Sequence, residues 1–250
     1  MNKKPPKIAV ILPTYCEEEN IADIITKIEN LKLSTTILVI DDSSPDGTEN
    51  KIKELQRRYE NILLLKRPRK MGLGTAITDG FKYLLSMQEP PEYIITMDAD
   101  RSHNPIDILK LLQKAQKGSD LVIGSRYCVG GEIKGWGITR FLISRIANKI
   151  ARIIIGLPIS DYTSGFRCYS KEYIEKALPK LHSQTYEIQI ETLRQAKLQG
   201  SRISEIPITF ENRKRGKSKL TANEVATFLK YILKILPKQT SKHAYQPTGK

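Results

Sequence analysis

At 250 residues, 40% of them hydrophobic, the chain is long enough for one large α/β domain with a well-buried core and needs no second domain. Its net charge of +14 and pI near 9.6 give a surface that attracts anions: nucleotide phosphates, nucleic acid or acidic lipid head groups. Three cysteines, Cys16, Cys128 and Cys168, without C-x-x-C spacing exclude a disulfide framework and a zinc site and imply a reducing, cytosolic setting. Residues 1–6 are basic with no apolar h-region, and no stretch reaches the roughly 18 apolar residues of a membrane span, so the chain is expected to be soluble or peripherally bound.

Residues 7–12 (KIAVIL) form a continuous apolar run stopped by Pro13, the pattern of a strand covered on both faces in a parallel sheet. A polar loop, PTYCEEEN, follows, then Ile21, Ile24, Ile25 and Ile28 at helical spacing. Residues 36–40 predict a second buried strand ending in acid, Asp41 and Asp42, before a turn-rich SSPDGT and a helix whose first turn lies near Thr48. Residues 62–65 predict a third strand. RPRKMGLGTA then sets three basic residues and two glycines ahead of a helix over 75–87. Either that helix N-terminus faces an anion, or the glycines mark a tight turn with close helix packing.

A fourth strand over 93–97 (YIITM) ends in Asp98 and Asp100. In an extended backbone alternate side chains point the same way, which puts both carboxylates on one side, roughly 6 to 7 Å apart at Cα. That spacing suits Mg2+ or Mn2+, which take one or two carboxylates and leave other positions to water and nucleotide phosphates. With ten aspartates in the chain, a D-x-D pair arises by chance at roughly 0.4 occurrences, so its weight comes from standing at the carboxyl end of a buried strand. A helix over 105–117 and a fifth strand over 120–125 ending at Arg126 complete an alternation that predicts a parallel sheet with right-handed crossovers. Asp42, Asp98 with Asp100, and Arg126 at three strand ends form the pattern of a nucleotide site.

Residues 134–157 carry five basic residues and no acidic one. Leu142, Ile146, Ile150 and Ile153 fall on one helical stripe and Arg145, Lys149 and Arg152 on another, with Trp136 and Phe141 at the entrance. This fits a helix lying in a membrane interface, and equally a surface helix with its apolar face in the core. DYTSGFRCYSK reads as a polar, glycine-containing segment, 186–198 as a helix and 202–210 as a strand opening into the basic ENRKRGKSKL. Thr221 and Glu224 fit a capping box for a last amphipathic helix over 221–236. Residues 1–236 thus read as one domain, and 237–250 as a polar tail expected to be disordered.

In register, PTYCEEENI, VIDDSSPDGT, MDADRSHNP, IGSRY, DYTSGFR and NRKRGKSKL resemble the landmarks of the dolichol-phosphate mannose synthases within glycosyltransferase family 2, and they cover almost all of residues 7–220. The resemblance implies a GT-A type α/β fold with a mainly parallel sheet. It also implies inverting transfer of mannose from GDP-mannose to a polyprenyl phosphate at the cytosolic face of a membrane, with Mg2+ or Mn2+. It assigns Pro13, Tyr15, Glu17, Ile40 and Asp42 to the nucleoside, Asp98, Ala99 and Asp100 to the diphosphate and metal, and Arg213 and Lys219 to closure over the diphosphate. Asp100 becomes the direct metal ligand. Relatives carry glutamine or serine where this chain has Ser102, a further candidate ligand. Arg126 and Arg140, with Ser144 near by, would meet the acceptor phosphate. Many relatives carry carboxyl-terminal membrane spans; this sequence resembles the short, peripheral form that works with a membrane-anchoring partner.

Alternatives keep the fold and change the donor to UDP-glucose, or change the acceptor to a glycan hydroxyl, which calls for a carboxylate general base. A nucleic-acid-binding protein without catalysis is disfavoured by the 7% aromatic content and by acids placed where a phosphate backbone would be repelled.

Overall fold

The computed structural model of the chain describes residues 7–212 and Tyr231. Seven strands form one sheet: β1 (Ile8–Thr14), β2 (Thr35–Asp41), β3 (Ile62–Lys66), β4 (Tyr93–Thr96), β5 (Leu121–Ser125), β7 (Arg167–Ser170) and β8 (Ile203–Pro207), in the order β3-β2-β1-β4-β7-β5-β8. All run parallel except β7, which pairs antiparallel with both β4 and β5. A two-stranded parallel ribbon joins β6 (Glu132–Lys134) to β9 (Thr209–Glu211).

The apolar runs form strands because both faces are covered. Helices α1 (Glu18–Glu29), α2 (Thr48–Gln56) and α4 (Asp107–Gln116) bury Ile25, Ile52 and Leu111 against Val10, Val39 and Ile95. On the other face α3 (Leu73–Leu85), α6 (Lys171–Ala177) and α7 (Ile188–Leu198) bury Phe81, Ile174 and Leu193 with Ile11, Ile40 and Ile94. Helix α5 (Ile138–Ile155) adds Ala151 and Ile155 to that second core, and Tyr231 packs against it.

The structure differs from the sequence reading at three places. The polar, glycine-containing DYTSGFRCYSK carries a strand in its second half: β7, inserted between β4 and β5. A buried strand beginning with arginine is possible because Arg167 is fully buried with its guanidinium satisfied by Ser164 O, Tyr162 O, Gln189 O and Thr192 Oγ1 at 2.8 to 2.9 Å. The expected strand over 202–210 is split, β8 staying in the main sheet and β9 leaving it for the ribbon. The basic helix begins at Ile138 rather than 134, Lys134 being in β6. The capping box Thr221 with Glu224, the last helix over 221–236 and the 237–250 tail lie outside the described residues.

The start of α3 is fixed by a close approach. Gly74 N donates to Gln184 O (2.9 Å), and a Cβ on Gly74 would stand 2.5 Å from Ser183 O. Gly72, at φ +97°, would place its Cβ 2.5 Å from Gln184 O. Of the two readings of this glycine pair, close packing is the one observed: the Gln184 carbonyl caps the helix N-terminus. Gly74→Ala is expected to cost about 1–3 kcal/mol by overpacking, seen as a lower urea midpoint at unchanged slope.

Candidate active site

The sheet changes winding direction at β1, which has β2 on one side and β4 on the other, so a crevice opens beyond their carboxyl ends. A cavity lies there. After β1 its wall is Pro13, Thr14, Tyr15 and Glu17; after β4 it is Asp98, Ala99 and Asp100. Asp42 closes one side with Lys70 and the first turn of α3, and Tyr186 the other. Most residues expected at the nucleotide and metal thus meet in one place. Ile40 does not: its side chain lies in the core against Gly80, and its carbonyl accepts Thr14 Oγ1 (3.2 Å). Arg213 and Lys219 lie outside the described residues.

The two loops that build the nucleotide side are bonded to each other. Cys16 N donates to Ser44 Oγ (2.9 Å), Glu17 N to Thr48 Oγ1 (2.9 Å) and Glu18 N to Asp46 Oδ2 (3.3 Å). Asp42 is engaged by the protein itself. Arg67 Nε donates to its Oδ1 (2.6 Å), Arg67 Nη2 pairs with the same oxygen, and the Met71 and Gly72 amides reach Oδ2 (3.0 and 3.3 Å). Its first role is therefore to shape the wall by folding the 67–72 loop inward, which brings Lys70 Nζ to 4.6 Å from the centre of the Tyr15 ring.

The D-x-D pair does not follow the extended geometry expected of it. Strand β4 ends at Thr96, and the chain turns through Arg101 at φ +64°, a conformation that non-glycine residues rarely hold. Asp100 is 6% exposed and its Oδ1 accepts Ser102 N (3.0 Å), whereas the Asp98 side chain is 40% exposed. His103 holds the turn. Its Nδ1 accepts the Asp98 amide (3.3 Å) and its ring stacks on Phe166 at 4.9 Å. Burial pushes the imidazole below its ordinary pKa, against the pull of the Asp98 and Asp100 carboxylates.

These residues fit a hard divalent cation. Ser102 Oγ is buried without a hydrogen-bond partner, an orphaned acceptor two residues from Asp100. No group of three His, Cys, Asp or Glu side chains gathers among the described residues, which matches a cation held by one or two carboxylates together with water and phosphate.

The expected acceptor-side arginines are held very differently. Arg126 is buried, with Nε and Nη2 donating to Asp161 at 2.7 and 2.8 Å and Nη2 also to Thr163 Oγ1 at 2.6 Å. Burial alone would lower its pKa; the Asp161 carboxylate outweighs that and raises it. Burial likewise opposes ionisation of Asp161, but Arg126 and the surrounding amides hold that carboxyl below its ordinary value. The Arg126 charge is thus matched by Asp161 inside the protein. Arg140 is half-buried, lies over the Trp136 ring at 4.2 Å and donates Nη1 to Asn212 Oδ1 (3.0 Å). Ser144 Oγ accepts Tyr127 OH (2.8 Å). The RPRK run and the DYTSGFR motif mark the segments that hold Arg67, Lys70 and Asp161 but not what each side chain does, and Tyr186 is marked by no motif, because these contacts come from partners distant in sequence.

Asp161→Asn leaves Arg126 buried without its counter-charge and is expected to cost about 3–5 kcal/mol. Because the folded-state pKa of Asp161 is depressed, its stabilisation is complete above the unfolded aspartate value of about 3.9 and is lost as pH falls through the lower folded value. Urea midpoints measured from pH 7 downward should show that acid loss in the wild type and a smaller one in Asp161→Asn.

The family model for glycosyl transferase family 2 matches residues 9–178. The polyprenol monophosphomannose synthase of Mycolicibacterium smegmatis is 37% identical over 218 residues, covering 86% of this chain and 82% of that protein. The dolichol-phosphate mannosyltransferase of Pyrococcus furiosus is 36% identical over 236 residues, covering 92% of this chain but 64% of the longer relative. Among solved structures, glucosyl-3-phosphoglycerate synthase of Mycobacterium tuberculosis superposes with a TM-score of 0.67 at 19% identity, over 94% of this chain and 82% of that one. That likeness shows a shared fold. With the family model spanning well over half its length, the chain belongs to glycosyl transferase family 2.

Proposed function

We propose that this chain transfers mannose from GDP-mannose to a polyprenyl phosphate at a membrane surface, inverting the anomeric carbon. The observation that carries the reading is the meeting of Asp98 and Asp100 with Tyr15 and Lys70 in one cavity at the β1–β4 crevice. The two mannosyl-transferring relatives supply the sugar and the lipid acceptor. The mycobacterial synthase with the same fold has been crystallised with Mn2+ and UDP-glucose, in keeping with a divalent cation in this crevice too.

Asp98, Asp100 and Ser102 would hold Mg2+ or Mn2+, which supplies positive charge for the departing diphosphate. Tyr15 and Lys70 flank the nucleoside, and the Asp42–Arg67 pair keeps that wall closed. Arg213 and Lys219 complete the donor side as the family resemblance implies. A phosphate acceptor is already anionic near neutral pH and needs positioning rather than a general base. Glu187 and Glu191 support this choice over a glycan hydroxyl. Glu187 takes the amides of Gln184 and Thr185 (2.8 and 3.0 Å), and Glu191 those of His182 and Ser183 (2.9 and 2.8 Å). Burial would raise the Glu187 pKa, yet the Thr185 hydroxyl and these amides lower it on balance, the wrong direction for a base working near neutral pH.

Helix α5 supports membrane contact. Leu142, Ile146 and Ile153, expected on one stripe, are 53%, 58% and 73% exposed, and Arg145, Lys149 and Arg152 are exposed beside them. The core instead takes Asn148, Ala151 and Ile155. An apolar stripe edged by cations is the pattern of a helix lying in an anionic interface. No described helix is long and apolar enough to cross a membrane, so a peripheral mode, alone or with an anchoring partner, fits best.

Incubation with radiolabelled GDP-mannose or UDP-glucose, polyprenyl phosphate and Mg2+, followed by lipid extraction, tests the reading. Label in the lipid from GDP-mannose is expected; label only from UDP-glucose would change the donor, and none from either would overturn the proposal. Asp100→Ala is expected to lower turnover by about two orders of magnitude or more with the fold retained. Ile146→Glu with Ile153→Glu should abolish co-sedimentation with anionic vesicles while leaving the thermal midpoint within a few degrees of the wild type.

A further inference from the structure

Gln189 lies in the first turn of α7, close behind Tyr186 of the cavity wall, and its backbone is fixed from two sides. Its amide donates to Tyr186 O (3.2 Å), and its carbonyl accepts Arg167 Nη1 (2.8 Å). The residue is 3% exposed, yet its Oε1 is buried without a hydrogen-bond partner. A buried acceptor left unpaired weakens a fold, so such a group calls for a role other than stability. The side-chain amide faces Gly165. A Cβ built on that glycine would stand 3.4 Å from Gln189 Nε2 and 3.5 Å from Asp98 Oδ1. Gly165 is partly exposed and is held against β4 by Thr96 Oγ1, which donates to its carbonyl (2.8 Å). Its backbone lies outside the left-handed region, so what glycine provides there is space rather than an unusual conformation.

Strand order gives that space its place in the site. β2, β1, β4 and β7 are successive neighbours in the sheet. Asp42 follows β2, Tyr15 and Glu17 follow β1, and Asp98 and Asp100 follow β4. Gly165 comes just before the antiparallel β7, whose Arg167 is level with Thr96 at the carboxyl end of β4. A nucleotide sugar laid along these ends has its nucleoside over β2 and β1, its diphosphate at the β4 turn and its sugar over the start of β7. A carboxamide suits that last position. It can both donate and accept, as sugar hydroxyls do, and it adds no charge beside the diphosphate.

We propose that Gln189 is a specificity-determining residue whose carboxamide hydrogen-bonds a hydroxyl of the transferred hexose, seated in the space over Gly165 beside Asp98. This rests on the nucleotide-sugar reading above and adds where the sugar lies and which side chain reads it. Gln189→Leu is expected to lower kcat/KM for GDP-mannose about 10- to 100-fold. The affinity for GDP alone, measured by calorimetry with Mg2+, and the KM for polyprenyl phosphate should change by no more than about twofold. The urea midpoint should equal or exceed that of the wild type, an unpaired buried acceptor being gone. Among GDP-mannose analogues each lacking one sugar hydroxyl, one should lose the same factor with the wild type and no more than about twofold further with Gln189→Leu. Gly165→Ala adds a methyl at ordinary contact distances, so it should fold as the wild type does while crowding the sugar. It is expected to lower kcat/KM for GDP-mannose at unchanged GDP affinity, and it tests the inference should Gln189→Leu not fold. Wild-type kcat/KM in either folded variant, an equal loss of GDP affinity, or analogue losses that multiply in full with Gln189→Leu at every hydroxyl would each overturn the inference. Lipid product from the wild type together with any of these sinks this inference alone; no product from the wild type sinks the functional reading and this inference with it.

Discussion

The far side of the site hangs on the Asp161 carboxylate. It is wholly buried and accepts from the Arg126 amide, Nε and Nη2, from the Thr163 amide and hydroxyl, and from the Ser164 amide. Three of these groups belong to Arg126, just past the end of β5, and three to the turn leading into β7, so one side chain ties β5 to the antiparallel insertion. The turn is held from two further directions. Glu205 of β8 accepts the Ser160 and Asp161 amides (2.8 and 2.9 Å), and Asn148 of α5 binds Thr163 Oγ1 (3.0 Å) and the Tyr162 amide (2.6 Å). An ion pair in such surroundings contributes little net stability but is costly to break, because either partner left alone is a buried, unmatched charge. The same physics operates on the donor side, where Arg67 and Asp42 fold the 67–72 loop into the cavity wall. Each wall is thus shaped by a buried pair that cancels itself.

This division explains what could be read in the sequence. KIAVIL, TILVI, YIITM and LVIGS announce strands because a sheet covered on both faces needs unbroken apolar runs, and the ends of these strands mark the crevice. Strand β7 is hidden: four residues starting with Arg167 carry no such run, and only a surrounding cage of carbonyls makes that arginine acceptable. Pro13, Tyr15, Glu17, Asp42, Asp98 and Asp100, named through the family resemblance and the strand ends, line one cavity, whereas the Ile40 side chain lies in the core. What motifs could not give is partnership. Arg126 looks like a phosphate-binding residue until Asp161 is brought to it by the fold. The N-terminus of α3 looks open to anions until the Gln184 carbonyl is seen to occupy it. For α5 the structure shows the inward face taken by Asn148, Ala151 and Ile155, with Ile150 partly packed on the core and Leu142, Ile146 and Ile153 exposed.

The distribution of charge between interior and surface completes the argument. Among the described residues eight acidic side chains are buried (Glu17, Asp41, Asp42, Asp100, Asp107, Asp161, Glu187 and Glu191) against three basic ones, Arg67, Arg126 and Arg167. The buried acids serve amides, hydroxyls and guanidinium groups within the fold, so the exposed surface is more basic than the chain's +14 alone indicates. Such a field draws the protein toward any anionic surface over about a Debye length, roughly 8–10 Å at ordinary ionic strength, without choosing an orientation. Orientation needs a short-range feature, and α5 has one: Leu142, Ile146 and Ile153 stay exposed beside the exposed Arg145, Lys149 and Arg152. The β6–β9 ribbon near the start of that helix is fastened to the turn after β4 by Glu211 N donating to Ser102 O (3.1 Å) and by Phe210 meeting His103 edge-on, so the surface helix and the D-x-D turn are joined through one set of short contacts.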